Sequence, residues 1–269
     1  MNPLRRLLDL HGLPDASGGK DANGTVIVIG GPPSCPGAVM LAGTAALRLG
    51  SGRVQLVVHP DVSAAIAAGT PEAMVLGWDQ QSTPHAALRT ALAEADVVIV
   101  GPGHADMDSA VVREIAEAVD GAHLVLDAGA LPAALGLVDT GQRLLIAPNT
   151  DEATRLVGYD GDESVLAPRL AEAIDGPVAV RGAITVVTDG TECWLFEDAP
   201  TGLGTPGSGD VFVGTLGGLL ACGAQPVAAL GWAVALHAEA GARLARDAPV
   251  GYLARDLVRE LPFARAALG

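Results

Sequence analysis

The chain has 269 residues, of which 49% are hydrophobic, 17% charged and 3% aromatic, long and apolar enough for a sizeable core and incompatible with disorder or a fibrous fold. That core has to be made of Ala, Val, Leu and Ile around 35 glycines. Sixteen basic residues, with Lys20 the only lysine, stand against 31 acids for a net charge of −15, which argues against a phosphate-backbone surface for DNA or RNA.

The opening MNPLRRLLDLHGLP has too few apolar residues before Asp9 and His11 for a signal-peptide core. Cys35, Cys193 and Cys222 form no metal or redox motif; together these features predict a reduced, cytoplasmic protein with structural thiols. Apolar runs at 26–30, 54–59, 97–101, 124–129, 144–149 and 178–182 are short and β-rich, as strands buried on both faces are. Helical patterns lie between most of them, at 37–49, 84–95, 108–119, 151–157 and 163–174. The alternation predicts an α/β fold, a mostly parallel sheet with helices on both faces.

The rhythm then changes. ITVVTDG and ECWLFED are spaced as a hairpin across Asp189-Gly190, which predicts an antiparallel edge. After the loop at 199–209, helices start at Asp210 and at Pro226, and a last one covers 252–261. Residues 211–236 carry no charge, but Gly217, Gly218, Gly223, Gln225 and Pro226 divide them into two core helices rather than a membrane span. No linker tract or repeat interrupts the pattern, so 1–269 reads as one domain, with 1–19 an N-terminal extension and the core at about 20–262.

In an open α/β sheet the ligand lies beyond the carboxyl ends of the strands, where GGPPSCPGA, GPGHADMD, DAGAL and PNTDE follow their strands. The strongest constellation is GLGTPGSGD at 202–210, which opens onto an apolar helix. Its glycines let the backbone approach a ligand, and the free N–H groups of a helix start bind anions. Asp210 has two readings, a helix cap or a carboxylate that takes a proton from a substrate hydroxyl. The G-x-G-x-x-G at 202–207 follows no strand of a βαβ unit, so the dinucleotide fingerprint does not apply, and a Walker A loop lacks its lysine. His11, His59, His85, His104, His123 and His237 have no partners at zinc-ligand spacing, and His237 reads as a satisfied core histidine. Ser208 sits in no G-x-S-x-G elbow.

GGPPSCPGAVMLAGTAALRLGSG, GPG at 101–103, LVLDAGAL, PNTDEATRLVG, VRGAITVV and GLGTPGSGDVFVGTLGGLLACG stand in this order along the chain. In that order they resemble the ADP-dependent NAD(P)H-hydrate dehydratases of the ribokinase-like superfamily, over roughly residues 20 to 262. GSGD alone points only to the superfamily; the PGA segment with DAGAL points to the dehydratase. The resemblance implies a ribokinase-like three-layer sandwich and a repair reaction in which hydrated NADH or NADPH (the S epimer) is dehydrated while ADP becomes AMP and phosphate. Transfer of a phosphoryl group turns a poor leaving hydroxide into a good one.

Carried over by position, Asp210 is the base, and Gly207, Ser208 and Gly209 hold the phosphoryl through backbone N–H groups. Arg181, Gly182, Ala183, Ile184 and Thr185, with Gly209, match the nucleotide-binding turn. Ala38, Gly103 and Asn149, with Asp210, match positions lining the hydrated dinucleotide. Arg181 stands where the family usually has Lys, and Asn149-Thr-Asp-Glu152 where it has His-Pro-Gly-Glu. Arg keeps the charge but not the compact ammonium, and Asn does not titrate near neutrality. Glu152 either helps to hold Mg²⁺ or opens its helix. ADP as co-substrate, Mg²⁺, a homotetramer and a separate epimerase complete the expectation; the chain starts too near the matching region to hold an epimerase domain of its own. Two other readings share the residues: an ATP-dependent kinase of a small alcohol, such as hydroxyethylthiazole, and a nucleotide-binding protein without turnover.

Overall fold

Strand β1 (Thr25–Ile29) shows how the protein is layered. Successive side chains of a strand point to opposite faces: Val26 and Val28 enter one apolar cluster, Ile27 and Ile29 the other, and all four are fully buried. The computed structural model describes Arg6, residues 10–197 and residues 199–269. The opening segment read for an export signal lies largely outside these residues.

After β1 come α1 (Gly37–Arg48), β2 (Arg53–Val58), α2 (Pro60–Gly69), β3 (Met74–Gly77), α3 (Ala86–Ala93), β4 (Val97–Val100), α4 (Ser109–Ala118) and β5 (His123–Leu126). A 3-10 stretch, Ala128–Gly136, leads through Val138–Thr140 to β6 (Arg143–Ile146), α5 (Thr150–Val157), α6 (Glu163–Ile174), β7 (Val178–Arg181), β8 (Thr185–Thr188) and β9 (Cys193–Phe196). The chain ends with α7 (Ser208–Ala221), α8 (Pro226–Ala245) and α9 (Ala254–Leu268). The nine strands form one sheet in the order β3-β2-β1-β4-β5-β6-β7-β8-β9. Pairing is parallel from β3 to β7 and antiparallel from β7 through β8 to β9, with Ala179 opposite Val187 and Val187 opposite Trp194.

The helices α1, α7, α8 and α9 cover one face with Leu216, Phe212, Trp232 and Leu257, and α3, α4 and α6 cover the other with Leu88, Ile115 and Leu170. Small residues bring α7 onto α1: a Cβ at Gly214 would collide with the Ala42 carbonyl, and one at Gly218 would stand 2.7 Å from the Ala46 carbonyl. The uncharged stretch at 211–236 is indeed two packed core helices, and no helix among the described residues is long and apolar enough to cross a membrane.

The structure departs from the sequence reading in four places. Helix α2 and strand β3 went unread. Only Ile66 of α2 is fully buried, so it shows no clear apolar stripe, and β3 is a short edge strand with Met74 and Gly77 exposed. The runs at 124–129 and 144–149 leave the sheet at Leu126 and Ile146, so Asp127 and Asn149 lie beyond the strands. The last helix continues past Pro262 to Leu268. Helix α7 begins at Ser208, which puts Asp210 inside its first turn rather than at its cap.

Candidate active site

Two strand ends and two helix starts converge on a cleft of about 630 Å³ at the carboxyl edge of the sheet. Beyond β6 and β7 the pairing continues through a bridge between Asn149 and Arg181, and the Arg181 N–H donates to the Pro148 carbonyl at 2.9 Å. Helix α5 is closed by a capping box: Asn149 Oδ1 accepts from the Glu152 N–H at 2.9 Å, and the Asn149 N–H donates to Glu152 Oε2 at 2.8 Å. Glu152 therefore opens its helix, the second of its two expected roles, and leaves Oε1 for the cleft.

Helix α7 begins differently. Its N-cap Gly207 has φ +86°, a left-handed conformation suited to glycine, and no side chain caps the first turn. Asp210 makes no capping bond, which corrects that reading of it. The Ser208 N–H donates to the Thr205 carbonyl at 3.2 Å, so of the three expected backbone donors it is the one with a protein partner. Among the described residues the N–H groups of Gly207, Gly209 and Asp210 have no protein partner. The result is a nest of free donors at the positive end of a 14-residue helix.

Across the cleft Arg181 donates from Nε to the Ala147 carbonyl at 2.8 Å and stacks over Phe212, 4.6 Å from the ring centre. Burial pulls its pKa below the usual arginine value, against the opposite pull of Asp127, Glu152 and Asp210; it remains a cation. The turn after it is pinned by Glu163, a buried carboxylate that accepts from Thr150 Oγ1 at 2.8 Å and the Ala183 N–H at 3.2 Å. A Cβ at Gly182 would run into Glu163 and Thr150.

Two carboxylates face this cation. Burial, then repulsion from Asp127, raises Asp210 to about 7, with Arg181 opposing. Asp127 is 6% exposed and raised to about 6, again mainly by burial, with Arg181 pulling down and Glu152 pushing up. An Asp with a pKa near 7 is suited to accept a proton at neutral pH. The sequence reading passed over Asp127 and Glu163. Asp127 stands inside the DAGAL segment, and its signal in the sequence is its position just past a buried parallel strand; Glu163 carries no local signal.

The cleft gathers Asn149, Glu152, Arg181, Gly182, Ala183, Thr185, Gly207, Ser208, Gly209 and Asp210. It does not include Ile184, which packs against the apolar cluster behind the turn, nor Ala38 and Gly103. Those two meet at the neighbouring crevice between β1 and β4, where the strand order reverses. A Cβ at Gly103 would stand 3.0 Å from Ala38 Cβ, and one at Gly207 would stand 2.7 Å from Leu41, one turn along α1, so crevice and cleft adjoin. Gln80, at φ +61°, ties this crevice together: its Nε2 donates to the Gly30 carbonyl and its Oε1 meets His104 Nε2, each at 2.7 Å. No group of three or more His, Cys, Asp or Glu among the described residues is placed to hold a metal.

A family model described as NAD(P)H-hydrate dehydratase matches residues 26–263. The ADP-dependent (S)-NAD(P)H-hydrate dehydratase of Xanthomonas campestris is 38% identical, with 93% of this chain and 91% of that one covered. A bifunctional NAD(P)H-hydrate repair enzyme of Moorella thermoacetica is 34% identical, and the chain spans about half (50%) of its length. In fold, the chain is similar to a ribokinase-like superfamily protein from Enterococcus faecalis, with a TM-score of 0.83 and 21% identity over 98% of this chain and 95% of that one. The ADP/ATP-dependent NAD(P)H-hydrate dehydratase of Bacillus subtilis, co-crystallised with ATP and Mg²⁺, gives 0.81 and 24% over 99% and 97%.

Proposed function

The chain belongs to the NAD(P)H-hydrate dehydratase family, and on that premise we propose that the cleft performs the ADP-dependent return of hydrated NADH or NADPH to the working cofactor. The protein is a hydro-lyase with a ribokinase-like fold. The observation that carries the assignment of roles is the placement of Asp210 in the first turn of an uncapped helix, opposite Arg181, with its pKa lifted to about 7.

In this reading the diphosphate of ADP lies between Arg181 and the free donors of α7. Asp210 takes the proton of the C6 hydroxyl as its oxygen attacks the β-phosphorus, and AMP departs with the electrons of the broken P–O bond. The lone pair of the ring nitrogen expels phosphate from C6, and loss of a proton from C5 restores the ring double bond. Fixed donors and a cation at the developing charge lower the barrier because they need no reorganisation. The nicotinamide end occupies the crevice at Ala38 and Gly103, and Asn149 keeps its amide N–H₂ for the substrate after giving its oxygen to the cap.

Mg²⁺ commonly binds through one or two carboxylates plus phosphate oxygens, and the hard oxygens of Glu152 and Asp127 in the cleft fit that donor set. When bound, it neutralises charge on the diphosphate. Residues 1–269 act as one domain in this reading, as a cytoplasmic homotetramer supplied by a separate epimerase; the bifunctional name of relatives twice as long supports the companion activity. The test follows absorbance at 340 nm with NADH hydrate, Mg²⁺ and ADP. An ADP-dependent rise is expected, and its absence alongside ATP-dependent phosphorylation of a small alcohol would replace this reading with the kinase.

A further inference from the structure

Ser208 and His237 sit on different helices of the α7–α8 pair, yet Ser208 Oγ lies 3.0 Å from His237 Nε2. Each residue is only 7% exposed, and both line the cleft. The imidazole stands edge-on to Phe212, with ring centres 5.7 Å apart and planes at 85°. Arg181 stacks on that same phenyl ring, so the histidine, the phenyl ring and the guanidinium hold one another in place. Burial foremost, then the Arg181 charge, pushes His237 down to about 3, so its ring is neutral at any working pH. A neutral ring bears its hydrogen on one nitrogen only. In one of its two neutral forms that hydrogen is on Nε2, the nitrogen that faces Ser208 Oγ. With the Ser208 N–H donating to Thr205, the hydroxyl is the group the serine has to offer an anion.

We propose that His237 is a positioning residue for phosphoryl transfer: its Nε2–H donates to Ser208 Oγ and so aims the Ser208 hydroxyl hydrogen at the phosphoryl oxygens held by the first turn of α7. The identity of that phosphoryl group rests on the dehydratase reading; the anion itself does not. Two donors in series strengthen each other when an anion sits at the end of the chain.

The test compares Ser208→Ala, His237→Leu, His237→Gln and the Ser208→Ala/His237→Leu double variant in two assays. One is the ADP-dependent rise at 340 nm from NADH hydrate; the other is the calorimetric Kd for inorganic phosphate. Ser208→Ala and His237→Leu are each expected to lower kcat by about 10- to 100-fold, the loss of one transition-state donor, while the KM for ADP stays within about threefold. Each weakens phosphate by about 5- to 10-fold, one hydrogen bond's worth. The double variant is expected to be no worse than the poorer single one. His237→Gln, whose amide N–H extends to the place of Nε2, retains kcat within about threefold. Multiplying effects in the double variant, an undiminished kcat in His237→Leu, or a Gln variant as poor as the Leu one would overturn the proposal. If the unaltered protein forms no NADH, the dehydratase reading fails, and the phosphate series alone decides the role of His237.

Discussion

Two helices, α5 and α7, point their N-termini into the same cleft, and their first turns are built for opposite ends. Helix α5 satisfies its donors internally through Asn149 and Glu152, whereas α7 starts on Gly207 and leaves its donors open beside Arg181. Helix starts of the same polarity thus serve different purposes: a capped start anchors a segment, and an uncapped glycine-rich start is suited to an anion. The acid in each first turn follows suit. Glu152 is tied to the backbone, while Asp210 makes no cap and has its pKa lifted by burial to about 7.

The largest test of this contrast is Asp210→Asn. Turnover of NADH hydrate is expected to fall by about 10³-fold, the scale of a lost general base, while ADP still raises the melting temperature. Since an Asp raised to about 7 binds its proton more tightly folded than unfolded, the apo protein loses stability as pH rises from about 4 to 7 and levels off above. Asp210→Asn should accordingly melt higher at pH 8, by about 2–4 °C if roughly 1 kcal/mol is recovered. An Asn variant that melts lower would mean that the carboxylate holds the helix after all.

Filling the open turn comes next. Gly209 has ordinary backbone geometry, and its Cβ would lie 3.6 Å from the Arg181 guanidinium, so Gly209→Val is expected to fold and to weaken ADP by on the order of tenfold by calorimetry. The pH profile is the third test: kcat/KM should rise about tenfold from pH 6 to 8 as Asp210 ionises around 7 and flatten above that, and a flat profile across this range would remove Asp210 as the base. Arg181→Lys keeps the charge but loses the Nε bond to Ala147 and the planar stack on Phe212; the KM for ADP is expected to rise by about threefold. Asn149→Ala has the smallest effect on turnover, under about threefold, but costs about 1 kcal/mol of stability in urea unfolding as the cap is lost. A loss of activity rivalling that of Asp210→Asn would place Asn149 in the chemistry.

The parallel core and its antiparallel edge were legible because six strands are short β-rich runs dominated by apolar residues and the hairpin has a turn signal at Asp189-Gly190. Helix α2 and β3 were not, since one buries a single large residue fully and the other lies half-exposed at the edge. At the site, residue types were readable and conformations were not. Asp210 after three small residues looks like a cap in sequence, and only the start of α7 at Ser208 shows otherwise. The pairing of Ser208 with His237 joins residues 29 positions apart through helix packing, and Asp127 becomes notable only once burial and its charged neighbours are known.

The glycine contacts that seat α7 on α1 join an early part of the chain to a late one. The free donors at the first turn of α7 are held in place by that long-range docking, so a nucleotide bound there as proposed depends on it. A ligand whose site forms last stabilises the finished protein without helping the chain to reach it. On the proposed reading, ADP is expected to slow unfolding and to leave the folding rate unchanged, so that the nucleotide around the protein would set its lifetime as well as its turnover.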